Sequence, residues 1–170
     1  MRRVALHAMT PDDLDAVLAL QQRCYGVGFL ERREAFAAKL AATEGLGCCW
    51  MVAREGEPLA YVVSLPVCEA TLPALDAPRC ERPAKPTLLY LHDMAVAPEA
   101  RSLGLAARLL ARLRERAQAL GLARIGLVAV QGSVPYWQRR GFVEAAEMSK
   151  GLVAKLASFG AEARFLSCDQ

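Results

Sequence analysis

The sequence predicts one mixed α/β domain, of the α+β kind, spanning residues 1–170. Three observations lead there. Apolar runs of strand length recur along the chain, at Val4–Ala8, Cys48–Arg54, Leu59–Leu65 and Ile125–Val130. A strongly periodic helical stretch, Ser102–Leu120, follows a further apolar run around Leu89–Val96. Two of the runs flank Glu55-Gly56-Glu57-Pro58, the composition of a hairpin turn.

The elements follow in order. After the strand Val4–Ala8, Thr10-Pro11-Asp12-Asp13 opens a helix, with Thr10 as cap and Pro11 where a missing N–H costs nothing. The two acids face the positive helix end. Leu14, Val17, Leu18 and Gln21 mark its inner face, and Tyr25-Gly26 ends it. A second helix runs from about Glu31 to Ala42 and stops at Gly45. In the next strand, alternation puts one of the neighbours Cys48 and Cys49 toward the core. Pro66–Pro86 is proline-rich without a clean period, a long surface loop of a length that is often functional.

In the central helix, Leu103, Ala106, Leu110, Leu113, Ala117 and Leu120 recur at steps of three and four, one buried face. Gly121 closes it. Arg112, Arg114, Glu115 and Arg116 lie off that stripe, as a solvated face. The tail Leu156–Leu166 reads as a turn followed by a last strand.

Composition excludes several classes. With 54% hydrophobic and 23% charged residues the chain can bury a sizeable core. A net charge of +3 is too mild for a nucleic-acid partner. No apolar run reaches membrane-spanning length, and Met1-Arg2-Arg3 leads into a strand rather than a signal-peptide core, so the expected location is the cytoplasm. None of the six cysteines forms a C-x-x-C pair, so a zinc ribbon or a redox pair is not expected, nor is any other metal site. They read as free thiols acting as small hydrophobes. A catalytic cysteine would need a base, and the sequence offers only His7, a surface residue of the first strand, and His92.

The most informative stretch is Leu89–Ala106, an apolar strand, a turn at Pro98 and a loop-to-helix junction of the form Arg-x-x-Gly-x-Ala. Gly104 lets a ligand approach the backbone closely. The first N–H groups of a helix lack internal partners and carry partial positive charge, which suits a pyrophosphate. The amides of Ser102, Leu103, Gly104, Leu105 and Ala106 form that candidate cradle, with Arg101 beside it. The plainer alternative is a helix start with a small residue at a tight contact. Neither a Walker loop nor a Gly-x-Gly-x-x-Gly fingerprint is present.

A second segment adds to the first. Ile125–Val130 is followed by Gln131-Gly132-Ser133-Val134-Pro135-Tyr136-Trp137-Gln138-Arg139-Arg140-Gly141-Phe142. Strand, loop opening at Ser133, short helix, Gly stop and Phe at the next strand resemble the second signature of the GNAT superfamily of acyl-CoA-dependent N-acyltransferases. Arg101, Gly104 and Ala106 resemble that family's pyrophosphate loop. The two signatures lie about one helix and one strand apart, and the element order resembles the family along the whole chain.

The resemblance implies a mixed, mostly antiparallel central sheet flanked by helices, with two strands splayed apart to admit acetyl-CoA or CoA as cosubstrate. It implies that the strand bearing Met94, Ala95 and Val96 offers free main-chain groups to pantetheine and the acyl carbonyl. Ser133, Tyr136, Trp137 and Arg140 would line the cofactor from the other side. Acyl transfer to an amine needs the amine placed and neutral, and the oxyanion and thiolate stabilised, without a metal.

Here the chain departs from the family. The usual acid is a tyrosine four residues before Gly-Phe; that position is Trp137, whose indole only donates a hydrogen bond. Tyr136 stands one place earlier, turned by about 100°. Tyr136, Ser133, a water or bulk solvent could serve instead. For the base, His92 and Asp93 adjoin the expected acyl site, on opposite faces by alternation. An imidazole titrates near neutral pH and suits the task; the alternative is a polar pair that merely orders the strand.

Two functions follow. One is an N-acetyltransferase of bacterial type acting on a small-molecule or peptide amine in a ternary complex, as a monomer or homodimer. The other is a catalytically weak acyl-CoA-binding regulatory or interaction module of the same fold.

Overall fold

A computed structural model describes residues 3–170; Met1 and Arg2, part of the leader-peptide reading, lie outside the described residues. The chain forms one open seven-stranded sheet in the order β1-β2-β3-β4-β5-β7-β6. The strands are β1 (Val4–Ala8), β2 (Cys49–Arg54), β3 (Glu57–Val67), β4 (Leu88–Val96), β5 (Arg124–Ala129), β6 (Val143–Glu144) and β7 (Arg164–Asp169). The helices are α1 (Leu14–Cys24), α2 (Arg33–Ala42), α3 (Leu105–Ala119), α4 (Val134–Gln138) and α5 (Lys150–Ala157). Among the described residues only β4 and β5 run parallel; every other neighbouring pair is antiparallel. The mixed sheet flanked by helices is the predicted architecture.

Local chemistry explains the elements. A single 3₁₀ turn, Pro11–Asp13, feeds α1, and the Asp13 carboxylate accepts the main-chain N–H of Thr10 at 2.8 Å. The β2–β3 hairpin turns on Glu55 and Gly56, both at positive φ, which matches the right-handed twist of the strands. α3 buries Leu105, Leu109, Leu110, Leu113 and Ala117 in the main core.

Three expectations need correction. α3 begins at Leu105, not Ser102, because Pro98–Leu103 is a 3₁₀ segment and Gly104 breaks it in the left-handed region, φ 69°. The helical phase therefore starts at Leu105, leaving Leu103 exposed and Ala106 only half-buried. α2 begins at Arg33 rather than Glu31. Cys48 and Cys49 are both buried, since helices and loops cover both faces of the sheet there, and burial pushes the Cys48 thiol up to about 12. The tail is the expected turn followed by a last strand, β7, and ahead of it stands a helix that was not foreseen, α5, started by Ser149, whose side chain accepts the Leu152 N–H. Its apolar face, Leu152 and Leu156, joins Tyr90, Phe159 and Phe165 in a second core cluster, which also covers part of the long β3–β4 connection at Leu72.

Arg112, Arg114 and Arg116 are less solvated than expected. Arg112 lies 4.8 Å over the Trp50 ring, and Arg114 donates to the main-chain oxygen of Arg140 at 3.2 Å.

Candidate active site

The site arises where two parallel strands part. β4 and β5 pair only from Leu89 to Leu91 and from Ile125 to Leu127. At the next residue β4 carries a bulge: Asp93 pairs with Val63 and Leu91 with Ser64, leaving His92 without an opposite residue on β3. A bulge bends and twists the strand that carries it, and here it re-aims β4 away from β5. The gap becomes a cleft of about 400 Å³, walled by β4, the start of α3, the end of β5 and α4.

Main-chain polarity on the β4 wall follows from its partners. Ala97 N–H donates to Leu59 of β3 at 2.8 Å. In an antiparallel strand alternate residues turn their N–H and C=O the same way, so Met94 and Val96 face away from β3. Their carbonyls confirm it. Tyr25, capping α1, donates its hydroxyl to Met94 O at 2.7 Å, and the Cys24 thiol donates to Val96 O at 3.3 Å. The Met94 and Val96 N–H groups thus point into the cleft, fit to receive the amides and carbonyls of an extended arm.

At one end of the cleft stand Arg101, Gly104, Ala106 and Ala107. With Gly104 as N-cap, the free amides are those of the first turn from Leu105; Arg108 N–H is already bonded to Gly104 O. These amides lie at the helix side of the Arg101–Ala106 junction. The side chains of Ser102 and Leu103 are exposed, Leu105 points into the core, and none of the three lines the cleft, whereas Ala107, not foreseen, does. A Cβ at Gly104 would meet no heavy atom within 4 Å, so the space above its backbone is open to a ligand. Glu99 in the same loop pairs with Arg23 of α1 at 2.5 Å. Burial pushes the Cys24 thiol up while the nearby Arg101 guanidinium pulls it down.

Ser133, Tyr136, Trp137 and Arg140 form the opposite wall of the cleft. Trp137 is 9% exposed and sits edge-on to both Tyr136 and Phe142, at 5.0 and 5.5 Å between ring centroids. It is wall and core at once. Arg140 lies 3.5 Å over the Tyr136 ring and donates to Tyr136 O at 3.0 Å, so that ring is held in place. Across the cleft the two loops nearly meet: a Cβ at Gly26 would come within 3.1 Å of Gln131 Nε2.

His92 and Asp93 both reach the cleft wall and are both buried. The bulge between them interrupts strict alternation, and they join one set of buried polar groups instead of serving two faces. Tyr61 donates to Asp93 at 2.6 Å. Burial raises the Asp93 carboxyl to about 6, against the Tyr61 hydrogen bond and the His92 ring that lower it and Glu31 that raises it further. Burial and Asp93 push the Tyr61 phenol well up, so it remains a donor. His92 Nε2 lies 2.6 Å from Glu31 Oε1, with side-chain exposures of 1% and 3%.

Glu31 was not foreseen as a site residue. Its backbone is clamped by Gln21, whose side chain donates to Glu31 O at 2.5 Å and accepts Glu31 N–H at 3.0 Å. Its Oε2 receives Asp76 N–H at 2.8 Å and faces Lys39 Nζ at 3.6 Å. Burial raises this carboxyl, but His92, Lys39 and the Asp76 N–H more than offset it and hold it near 2. Asp76 belongs to the Pro66–Pro86 connection and also binds Arg32, so the long loop is strapped to the start of α2 at this cluster. No local pattern announces Glu31, because its partner lies 61 residues away.

Among the described residues no cluster of three or more metal-ligating side chains occurs, and no helix is long and apolar enough to cross a membrane.

The profile of the Acetyltransferase (GNAT) family matches residues 14–142. No curated protein sequence matches the chain. Among known structures, N-acetylglutamate synthase from Neisseria gonorrhoeae, complexed with coenzyme A and N-acetyl-glutamate, aligns at 18% identity and a TM-score of 0.71 over 99% of this chain. That alignment covers 35% of the synthase, so this chain spans about a third of its length. The ribosomal-protein-S18-alanine N-acetyltransferase from Escherichia coli aligns at 16% identity and a TM-score of 0.67, over 98% of this chain and 94% of that one. The loading GNATL domain of CurA from Lyngbya majuscula reaches a TM-score of 0.75 at 15% identity, over 98% of both. At these identities the likeness is one of fold.

Proposed function

The chain belongs to the GNAT acetyltransferase family, and we propose that it moves an acetyl group from acetyl-CoA to an amine of a small molecule or peptide, by direct attack in a ternary complex. The observation that carries this reading is the divergence of β4 from β5 after Leu91, with the Met94 and Val96 N–H groups turned into the gap. The reading extends to a cytoplasmic enzyme, monomeric or homodimeric, that needs no metal.

Each wall has a task. The first-turn amides of α3 and Arg101 hold the pyrophosphate, where helix-end charge and a guanidinium favour an anion. Val96 anchors the pantetheine arm through its main chain. Met94 N–H points where the acyl oxygen gains negative charge and stabilises it. His92 and Asp93 receive the proton that the ammonium must lose before attack. Tyr136, held by Arg140, is the candidate donor to the departing thiolate, and Trp137 keeps water from that side of the arm.

The second reading, an acyl-CoA-binding module, is favoured by one observation: Trp137 occupies the place where the family's tyrosine acid is expected. Thiol detection of CoA release from acetyl-CoA across a panel of amines and peptides separates the two. Release that depends on the amine supports the enzyme. Tight CoA binding with no amine-dependent release supports the module.

A further inference from the structure

We propose that Glu31 is a positioning residue for proton transfer, holding the His92 imidazole with Nε2–H toward its carboxylate and Nδ1 free as the proton acceptor. This rests on the acyl-transfer reading above, and it adds a residue that the cleft walls do not include.

The geometry constrains the hydrogen between the two groups. Nε2 and Glu31 Oε1 are 2.6 Å apart, with both side chains almost entirely buried. An ionised carboxylate only accepts, and the Glu31 carboxyl is held near 2. The shared hydrogen therefore sits on Nε2. Nδ1 is buried and has no hydrogen-bond partner. Buried polar atoms are nearly always paired, so an orphan of this kind calls for a functional account.

Lys39 Nζ, fully buried, lies 3.6 Å from the other Glu31 oxygen and supplies the counter-charge. A second imidazole proton would add a buried N–H with nothing to accept it. Tyr90 and Phe159 pack edge-on against the ring, at 5.5 and 6.3 Å, and fix its plane. The ionisable groups around it are Glu31 ahead of α2, Lys39 on α2, and Tyr90 and Asp93 on β4; the segment after α5 contributes the apolar Phe159. A carboxylate bonded to one imidazole nitrogen, with the other nitrogen taking the proton, is the division of labour in hydrolase triads.

The step balances without a further reactant. The acceptor ammonium loses one N–H proton, through a water at the cleft wall, to Nδ1. Its freed lone pair attacks the thioester carbon, the C–S bond breaks, and CoA leaves as the thiolate, which takes the second proton shed by the attacking nitrogen. The new imidazolium is paired with Glu31, whose carboxylate stays ionised, and the proton returns to solvent after product leaves.

Nitrogen-15 NMR of histidine-labelled protein tests the arrangement directly. The chain has two histidines, and exposed His7 serves as the internal reference. At pH 7.5, His92 should show a protonated Nε2 and an unprotonated Nδ1. In Glu31→Gln the amide can donate or accept, so the tautomer should become mixed. In that variant kcat/KM should fall on the order of 10²-fold with its acid limb displaced, while CoA affinity stays unchanged. Glu31→Asp, which keeps the charge, should recover part of the rate.

A wild-type His92 protonated on Nδ1, or doubly protonated at pH 7.5, overturns the proposal, and that measurement stands even if Glu31→Gln does not fold. An unaltered acid limb in Glu31→Gln overturns it as well. Failure of the wild type to release CoA with any amine instead overturns the acyl-transfer reading, whatever the tautomer.

Discussion

Tyr25 Oη donates to the main-chain oxygen of Met94 across 2.7 Å, tying the end of α1 to β4 three residues beyond the last β4–β5 pair. A strand that has left its neighbour has free carbonyls, and this hydroxyl satisfies one of them. The same bond fixes the backbone at Met94, whose own N–H faces the cleft. Cys24 repeats the device at Val96. Helix α1 is thus part of the cleft wall as well as of the core.

Tyr25→Phe should therefore affect turnover more than folding. Losing one such bond costs about 1 kcal/mol, equivalent to a melting shift of roughly 2–4 °C for a chain of this size. Turnover should fall further than that loss of stability suggests, because the Met94 N–H loses its alignment with the acyl oxygen. Steady-state rates alongside a thermal melt decide it. An unchanged kcat would mean that the Met94 peptide is held by β4 alone.

Gly104 tests the phosphate end. Its φ of 69° is unfavourable for any other residue, at about 1–2 kcal/mol, yet a Cβ there would meet nothing. Gly104→Val should fold with a modest loss of stability but weaken CoA by at least about tenfold, or 1.4 kcal/mol, because the side chain fills the space above the amides. Equal calorimetric affinity for the two proteins would show that the cradle lies elsewhere.

Trp137 and Tyr136 separate wall from acid. Trp137→Phe removes part of a core ring packed on Phe142 and should cost on the order of 1–2 kcal/mol of stability. Its kcat should stay within about a hundredfold of wild type, the lower range for an acid–base group. Tyr136→Phe leaves the packing intact. If that change alone abolishes turnover with CoA still bound, the acid has moved one residue along the helix; if only Trp137→Phe does so, the indole has a role beyond that of a wall.

What the sequence made legible was local. Periodicity located α3, and turn chemistry located the β2–β3 hairpin, because both depend on neighbours in the chain. The cleft-lining role of Arg101, Gly104, Ala106, Ser133 and Tyr136 could be foreseen because their motifs are contiguous. The exact start of α3 could not: Gly104 resets the helix, and the spacing of leucines runs on through it. Helix α5 was hidden because Leu152 and Leu156 are too few to show a period without the Tyr90 and Phe165 surfaces they cover. The Glu31–Lys39–His92 cluster was out of reach for the same reason on a larger scale. Each member looks like an ordinary polar residue until the sheet brings β4 under α2.

The last prediction concerns Asp93 and the pH dependence of stability. Burial raises its carboxyl to about 6 in the folded chain, against about 3.9 when unfolded. For a raised group the stabilisation is complete below the unfolded value and is lost as pH rises through the folded one. Between about pH 4 and pH 6 the unfolded chain ionises Asp93 while the folded chain resists. A difference of two pK units corresponds to about 3 kcal/mol by linkage. Asp93→Asn cannot ionise, and its side-chain oxygen still accepts the Tyr61 hydroxyl. The stability of Asp93→Asn relative to wild type should therefore rise by about that amount from pH 4 to pH 7. Glu31 acts in the opposite sense and at lower pH: its stabilisation is present above about 4.5 and disappears as pH falls toward 2. Urea titrations of both proteins at unit intervals from pH 4 to pH 7 measure the difference, from which the shared Glu31 contribution cancels. A difference independent of pH would mean that Asp93 is ionised in the fold at no cost, and that water in the cleft reaches it freely.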